Sequence, residues 1–406
     1  MSTAYTTVQG DTFETVARKQ YGTETGAARI IAANPGITDL LAGTVLTIPE
    51  RPTDLPTQLP TDRPDEVALR VAGRRFRFWS SVRIMRAVDS IDSVTFRAPF
   101  EADAPGFRQT FRPFSYSSMD VSVDGVPLFT GVMVGVEPAV SATARVIEVS
   151  GYAKPGVLND CTAPASAYPL EFSGLTLGPI AGTLCIPFGL TAVFTADQGA
   201  AFKRVSLDPG QQILPFLVDL AKQRGMIISS TSTGALQFSQ SQTTGVPVVA
   251  LRQGESPLMS VAPAFQPQAY YSDITGVEMV RPGRTGSKYT AKNTRLTGVL
   301  RPFGFRVPDS TSAEVKATTE ARLGRMFAAA ASYTAQVSTW RDPQGALWEP
   351  GSLVSLEAPD AMVYTPYTFL VRSVQFERDA TAATATLSLV IPEAFAGQVP
   401  EVLPWD

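Results

Sequence analysis

The 406-residue sequence contains no histidine. Without imidazole there is no Ser-His-Asp or Cys-His activation of a nucleophile, no histidine-ligated zinc and no HExxH metalloprotease helix. Cysteine is nearly as scarce. Cys161 and Cys185 are the only two, too few for a disulfide framework or a metal cluster, and they are expected to pack as reduced thiols, with a single bridge as the alternative. Charge is thin as well: Asp, Glu, Lys and Arg make up 17% of the chain, against roughly 25% in an average soluble protein. The formal net charge is −3, from 34 basic and 37 acidic residues, which removes a global electrostatic case for nucleic acid as the main partner. No apolar run approaches the roughly 18 residues of a membrane span. The opening Met-Ser-Thr-Ala-Tyr has neither the basic nor the hydrophobic segment of a secretion signal, so synthesis and assembly in a cytoplasm are expected.

What the chain does have is Gly at 31 positions, Pro at 32 and 44% hydrophobic residues. That mixture favours strands, turns and surfaces that become buried between subunits, since obligate interfaces are poor in charge and more apolar than ordinary surface. The length suits two to four domains at about 100–200 residues each. Catalytic signatures are missing. There is no GxSxG elbow, Gly283 to Lys288 has the wrong spacing for a phosphate loop, and acid pairs such as Glu101 and Asp103 arise in any chain with this many carboxylates. The expectation is a protein that is not an enzyme, with no cofactor and no metal site.

Residues 4 to 49 read as a small module of order βααβ. Tyr5 to Val8 suits a strand, and Asp11-Thr12-Phe13-Glu14 suits a capping box between Asp11 and Glu14. Phe13, Val16 and Ala17 then share a helical face, Ala27, Ile30 and Ile31 share another, Asn34-Pro35-Gly36 ends the second helix, and Val45 to Ile48 closes the unit. The runs Tyr5 to Thr12, Ala32 to Ile37 and Leu41 to Pro49 resemble a LysM domain, and the insertion Arg18 to Glu24 is similar to the LysM-like tail protein X of phages. In glycan-binding LysM domains the sugar lies between two loops, which here are Gly10, Asp11, Thr12 and Phe13 on one side and Asn34, Pro35, Gly36 and Ile37 leading towards Leu41 on the other. The resemblance implies either docking to another protein or glycan binding, while the same residues also serve simply as caps and turns. Pro49, Pro52, Pro56, Pro60 and Pro64 follow, a spacer of about 50 Å at roughly 3.1 Å per residue.

Strand patterns dominate from Val67 onward: Leu69 to Phe78, Ser81 to Ala87, Ser93 to Ala98, Met119 to Val123, Leu128 to Val136 and Arg145 to Ser150 alternate apolar with polar residues, and Asp124-Gly125 signals a hairpin. A second strand-rich block runs from Leu251 to Ile391. Helices are expected over Pro209 to Arg224 and Ser312 to Ala331. Val134, Val136, Glu137, Ile147 and Val149 match Val374, Phe376, Glu377, Leu387 and Leu389 without gaps. If this echo is a true repeat, the chain holds two similar barrels and three chains present six. The expected architecture is mainly β with some α: a LysM-like module over 1–50, a Pro-rich linker over 51–66, a first tube-like β-barrel over 67–160, an α+β insertion over 161–250, and a second tube-like β-barrel with a helix and tail over 251–406.

Val67 to Gly73 followed by Phe78 to Ile84, Phe129-Thr130-Gly131-Val132 leading to Ser150 to Cys161, the stretch Asp208 to Gln237, and Trp348 to Val354 with Pro392 to Phe395 together resemble Mu-like baseplate hub proteins, which are similar to the late-control D proteins. The resemblance implies a homotrimer whose paired barrels form a pseudo-sixfold ring. Its partners would be the hexameric tail tube protein, a trimeric central spike protein and the C-terminus of the tape measure protein, with baseplate wedge or sheath proteins reached through the LysM-like module. The location implied is the virion, after assembly in the host cytoplasm. A peptidoglycan-binding adhesin or muralytic tail protein is the alternative.

Arg70, Arg74, Arg75, Arg77, Arg83 and Arg86 lie within seventeen residues that hold no acid. On strands they could face a lumen through which the genome passes. The plainer expectation is subunit contact, where planar guanidinium groups meet carboxylates.

Overall fold

The computed structural model describes residues 3–8, 10–21, 27–37, 40–49, 66–101, 103–141, 145–278, 286–307, 312–379 and 382–406. All but Glu66 of the proline spacer, and part of the basic loop after Arg281, lie outside these residues. Two compact units divide the chain, Met1–Glu66 and Val67–Asp406.

In the first unit the antiparallel strands Thr3–Thr6 and Val45–Ile48 flank the helices Phe13–Tyr21 and Ala27–Ala33. Val16, Ala17, Ile30, Leu46 and Ile48 are its buried core. The first strand thus starts two residues before the expected Tyr5. The helix entry also differs: the Thr15 N–H donates to Thr12 Oγ1 at 3.3 Å and the Thr12 N–H donates to Thr15 Oγ1 at 2.7 Å. Thr12, not Asp11, is therefore the capping residue, because the Asp11 carboxylate is turned inward to other donors.

In the second unit a 13-stranded sheet runs, edge to edge, through Leu258–Phe265, Ala331–Val337, Ala383–Val390, Val363–Arg378, Ser81–Ala87, Ser93–Pro99, Arg145–Ala153, Val126–Val140, Ser118–Val123, Val67–Val71 and Arg74–Phe76. Leu353–Ala358 pairs with Val363–Arg378 off this path and carries Ala250–Arg252 beside it. The class is mainly β with some α, as the alternating patterns imply. The two tube-like barrels do not close, however. Val363–Arg378 from the second strand block pairs with Ser81–Ala87 from the first, in register from Ser373 opposite Ala87 to Arg378 opposite Val82. Each block spends its free edge on the other, so one hydrophobic core holds residues of both, including Ile84, Phe96, Val149, Val374, Phe376 and Leu387.

Leu69 to Phe78 is not one strand. Ala72 and Gly73 both take positive φ, 50° and 74°, folding Val67–Val71 back on Arg74–Phe76. Asp124 and Gly125 make the same two-residue turn at φ 49° and 83°. Both suit a type I′ hairpin, but only the second has the sequence that signals one.

The echoed hairpins are present as Val126–Val140 with Arg145–Ala153 and Val363–Arg378 with Ala383–Val390, and each carries one bulge, near Val134 and near Arg372. The first pairs Val140 with Arg145 at its tip and the second pairs Arg378 with Ala383, so the gapless alignment is two residues out of step there. A two-residue offset is one full period of strand alternation, so apolar positions still fall on apolar positions, which is why the pattern still matched.

Residues 158–238 form a separate core, in which the helices Leu177–Cys185 and Ile213–Gln223 bury Ile180, Leu184, Leu217 and Leu220 against Ile228 and Phe238 of a three-stranded sheet. The second helix begins at Ile213 and not at Pro209, since Gly210 at φ 89° still belongs to a turn. The helix Ser312–Ala330 runs straight into the strand Ala331–Val337 and packs on the sheet of Asp273–Glu278, Lys288–Lys292 and Pro302–Val307. Gly324 allows its close approach to the turn at Gly397, whose backbone a Cβ at 324 would strike. Cys161 and Cys185 are both free, and burial pushes the Cys185 thiol up to about 12.

Candidate functional site

The two loops of the first unit divide into residues tied up inside it and residues facing out. Asp11 is buried, and its Oδ2 accepts from the Val8 N–H at 2.9 Å and the Tyr5 hydroxyl at 2.8 Å, while Lys19 Nζ lies 2.5 Å from Oδ1. The Lys19 ammonium, followed by the Val8 N–H, holds the Asp11 carboxyl below its usual range, and Asp11 in turn raises Lys19. Asn34 is equally committed: its Nδ2 donates to the carbonyls of Ile30 and Thr47 at 2.7 and 2.8 Å, and its Oδ1 accepts from the Thr47 N–H at 2.8 Å. Phe13 and Ile37 are half-buried against the module core. That leaves Gly10, Thr12, Pro35 and Gly36 exposed. Gly10 and Gly36 take φ of 89° and 97° with open space around them, a backbone shape that a larger residue resists.

The six arginines do not form one patch. Arg83 and Arg86 are engaged within the chain, Arg83 Nε with Glu377 Oε1 at 2.6 Å and Arg86 Nε with Asp92 Oδ2 at 3.4 Å. Arg70 stands in register between Arg75 and Asp120. Arg74, Arg75 and Arg77 are exposed along the edge strand and the turn after it.

Asp92 is a joint that sequence patterns did not reveal. It is 2% exposed, its Oδ1 accepts from the Ala87 N–H at 3.3 Å, and its own N–H donates to Ser230 Oγ at 2.9 Å, linking the large sheet to the 158–238 core. Burial pushes its carboxyl up to about 6, against the pull of Arg86. A single aspartate between strand patterns carries no signal of its own, because its partners lie 5 and 138 positions away.

A second missed feature is aromatic. Phe114 and Tyr116 take φ of 60° and 48° and are 87% and 61% exposed. Non-glycine residues in that region are strained, and strain of this kind clusters at functional surfaces. Phe78, also exposed, meets Phe76 edge-on at 6.3 Å, and Phe76 meets Phe111 at 5.1 Å. Aromatics set among Pro113, Ser115 and Ser117, outside any alternating pattern, were the available clue.

The model of the "Baseplate hub protein gp44-like, second domain" family matches residues 155–240, the separately cored segment. That of "Phage Tail Protein X" matches residues 3–56. The baseplate hub protein gp44 of Escherichia phage Mu is 26% identical over 353 residues, covering 81% of this chain and 88% of that protein. The chain resembles the Mu-like baseplate hub proteins. Among solved structures, the 43 kDa tail protein of prophage MuSo2 from Shewanella oneidensis superposes with a TM-score of 0.70 at 25% identity, over 81% of this chain and 99% of that one. A tail protein from Neisseria meningitidis gives the same TM-score at 20% identity, over 83% and 99%, and shows the fold alone. This hub-like chain carries its tail protein X segment in one polypeptide with the gp44-like body. Among the described residues no helix is long and apolar enough to cross a membrane, and no cluster of acids and cysteines could hold a metal ion.

Proposed function

We propose that this chain is the structural hub of a phage tail baseplate, and that three copies assemble into a pseudo-sixfold ring joining the hexameric tail tube to the trimeric central spike. The observation that carries the ring is an open sheet with two unlike edges. One edge is Arg74–Phe76, charged and short. The other is Leu258–Phe265, eight residues with no charge, exposed along most of their length, with Met259 57% and Phe265 41% accessible. An apolar edge of this kind requires a cover. Pro263 and the bulge at Met259 interrupt its ladder, which favours a neighbour that packs against it over one that extends it. A copy that packs on this apolar edge with a different face makes a heterologous contact, which generates a ring when its rotation closes.

On this reading the segments 67–160 and 251–406 are the two tube-like halves, 161–250 is the insertion, and the tape measure protein C-terminus reaches the ring from the tube side. The front module (1–50), held on its spacer (51–66), docks on wedge or sheath proteins through its exposed loop residues. The chain does no chemistry, and it resides in the virion after assembly in the host cytoplasm. The resemblance to the hub protein of phage Mu supports the role. Mass photometry of the chain co-expressed with its spike tests it: a species with three copies is expected, and finding none overturns the ring.

A second reading rests on the exposed Gly10, Thr12, Pro35 and Gly36, which lie on the two loops that hold the sugar in glycan-binding LysM domains. It predicts that the full chain co-sediments with purified sacculi and loses this on Thr12→Ala with Ile37→Ala. Failure to sediment disposes of it.

A further inference from the structure

Between the 158–238 core and the C-terminal part of the body lies an open cleft of about 720 Å³. Its cationic side is formed by Lys222 at the end of the helix Ile213–Gln223, Arg325 on the helix Ser312–Ala330 and Arg372 on the long strand. Asp89 is the one acid in the lining, and it is taken up by Arg372 at 3.0 Å. The nearest carboxylate to Lys222, Asp219, stands 3.8 Å away on its own helix, and no ion pair of Arg325 is found among the described residues. Arg322, three positions earlier on the same helix, is committed to the rings of Phe303 and Phe305 at 4.9 and 4.6 Å. Partial desolvation of its head and that neighbouring charge pull the pKa of Arg325 down, although the residue as a whole stays exposed to solvent. Met226, Ile228 and Phe395 are the apolar residues that also line it, the first two largely buried beneath its floor. Ser241, also in the lining, has a buried hydroxyl with no hydrogen-bond partner, an exception that calls for one.

We propose that this cleft receives an acidic, partly apolar peptide segment of another protein, with its carboxylates at Arg325 and Lys222, an apolar side chain against Phe395, and a polar group at Ser241. The argument is charge complementarity. A chain that is acidic overall gathers excess positive charge in this cleft, which selects an anionic partner and rejects a cationic one. The volume lies in the range of sites that bury a ligand's side chains, roughly 300–1,000 Å³. Its openness suits a segment of chain passing through. This inference goes beyond the ring and does not depend on it.

Fluorescence polarisation on the full chain tests it with two labelled peptides of about twelve residues, one mixing Glu with Leu and Phe, the other with Lys at each Glu. The acidic peptide is expected to bind and to weaken with salt, and Arg325→Glu is expected to weaken it about tenfold. Arg325→Lys should retain most of the affinity and Lys222→Glu should lower it, both with unchanged melting temperature, so that a folding defect in one variant does not decide the matter. Equal binding of the two peptides, no binding by the acidic one, or unchanged affinity in both charge-reversed variants overturns the proposal.

Discussion

Arg83 Nε lies 2.6 Å from Glu377 Oε1 across the pair of strands that joins the two halves of the large sheet. Their sequence separation is 294 residues, so the contact reports directly on that seam. Directly opposed charges on a sheet face contribute about 0.2–1 kcal/mol, and like charges there destabilise by a similar amount. Arg83→Glu is expected to lower the melting temperature, and adding Glu377→Arg to restore most of the loss. A double-mutant cycle by denaturant unfolding measures the coupling, and its absence would mean that solvent screens the pair entirely.

The Asp92 joint predicts a dependence on pH. A carboxyl raised from 3.8 to about 6 by burial binds its proton more tightly in the folded chain than in the unfolded one. Its contribution is therefore fully present below about pH 4 and is lost as pH rises through about 6, amounting to at most about 3 kcal/mol. Relative to Asp92→Asn, the natural chain should be most favoured near pH 4 and lose that advantage by neutral pH. Unfolding free energies of both chains across this range are the measurement, and parallel curves would contradict it.

Gly324→Ala should destabilise the body, because the added methyl strikes the backbone at Gly397 and not a side chain that can swing away. Overpacking costs about 1–3 kcal/mol. Gly182→Ala, in a helix with open space around the glycine, should be neutral or mildly stabilising. Thermal melts of the two variants compare them under one condition.

Asn34→Ala removes three hydrogen bonds and leaves the Thr47 backbone groups without their partner. A loss of about 1–3 kcal/mol for a buried unsatisfied group is expected. Because the first unit folds around its own small core, limited proteolysis of the full chain should show early cleavage within residues 3–49 while the body persists.

Much of the fold was legible in alternation alone. Val94, Phe96, Ile147 and Val149 all point into the core as their spacing requires. What alternation does not encode is which strand stands beside which. The pairing of Ser81–Ala87 with Val363–Arg378 follows from two edges left open far apart in sequence, and no local pattern records that. The front module was read well because its helix stops and turn glycines act locally. Asp11 was assigned the wrong role, since a capping aspartate and an aspartate turned inward to Lys19 look alike until the third dimension is known. For the site, the arginines drew attention by proximity in sequence, yet Arg83 and Arg86 have partners inside the chain. The basic cleft of Lys222, Arg325 and Arg372 is assembled from three distant elements and has no sequence trace.

The seam also sets an order of events during synthesis. Ser81–Ala87 leaves the ribosome early, but Ser373–Arg378, which completes its ladder on that side, emerges roughly three hundred residues later. At about 5–20 residues per second the nascent chain carries an unpaired strand edge for some fifteen to sixty seconds. Expression at lower temperature or with a chaperone that covers strand edges should therefore raise soluble yield more than any substitution in the finished structure.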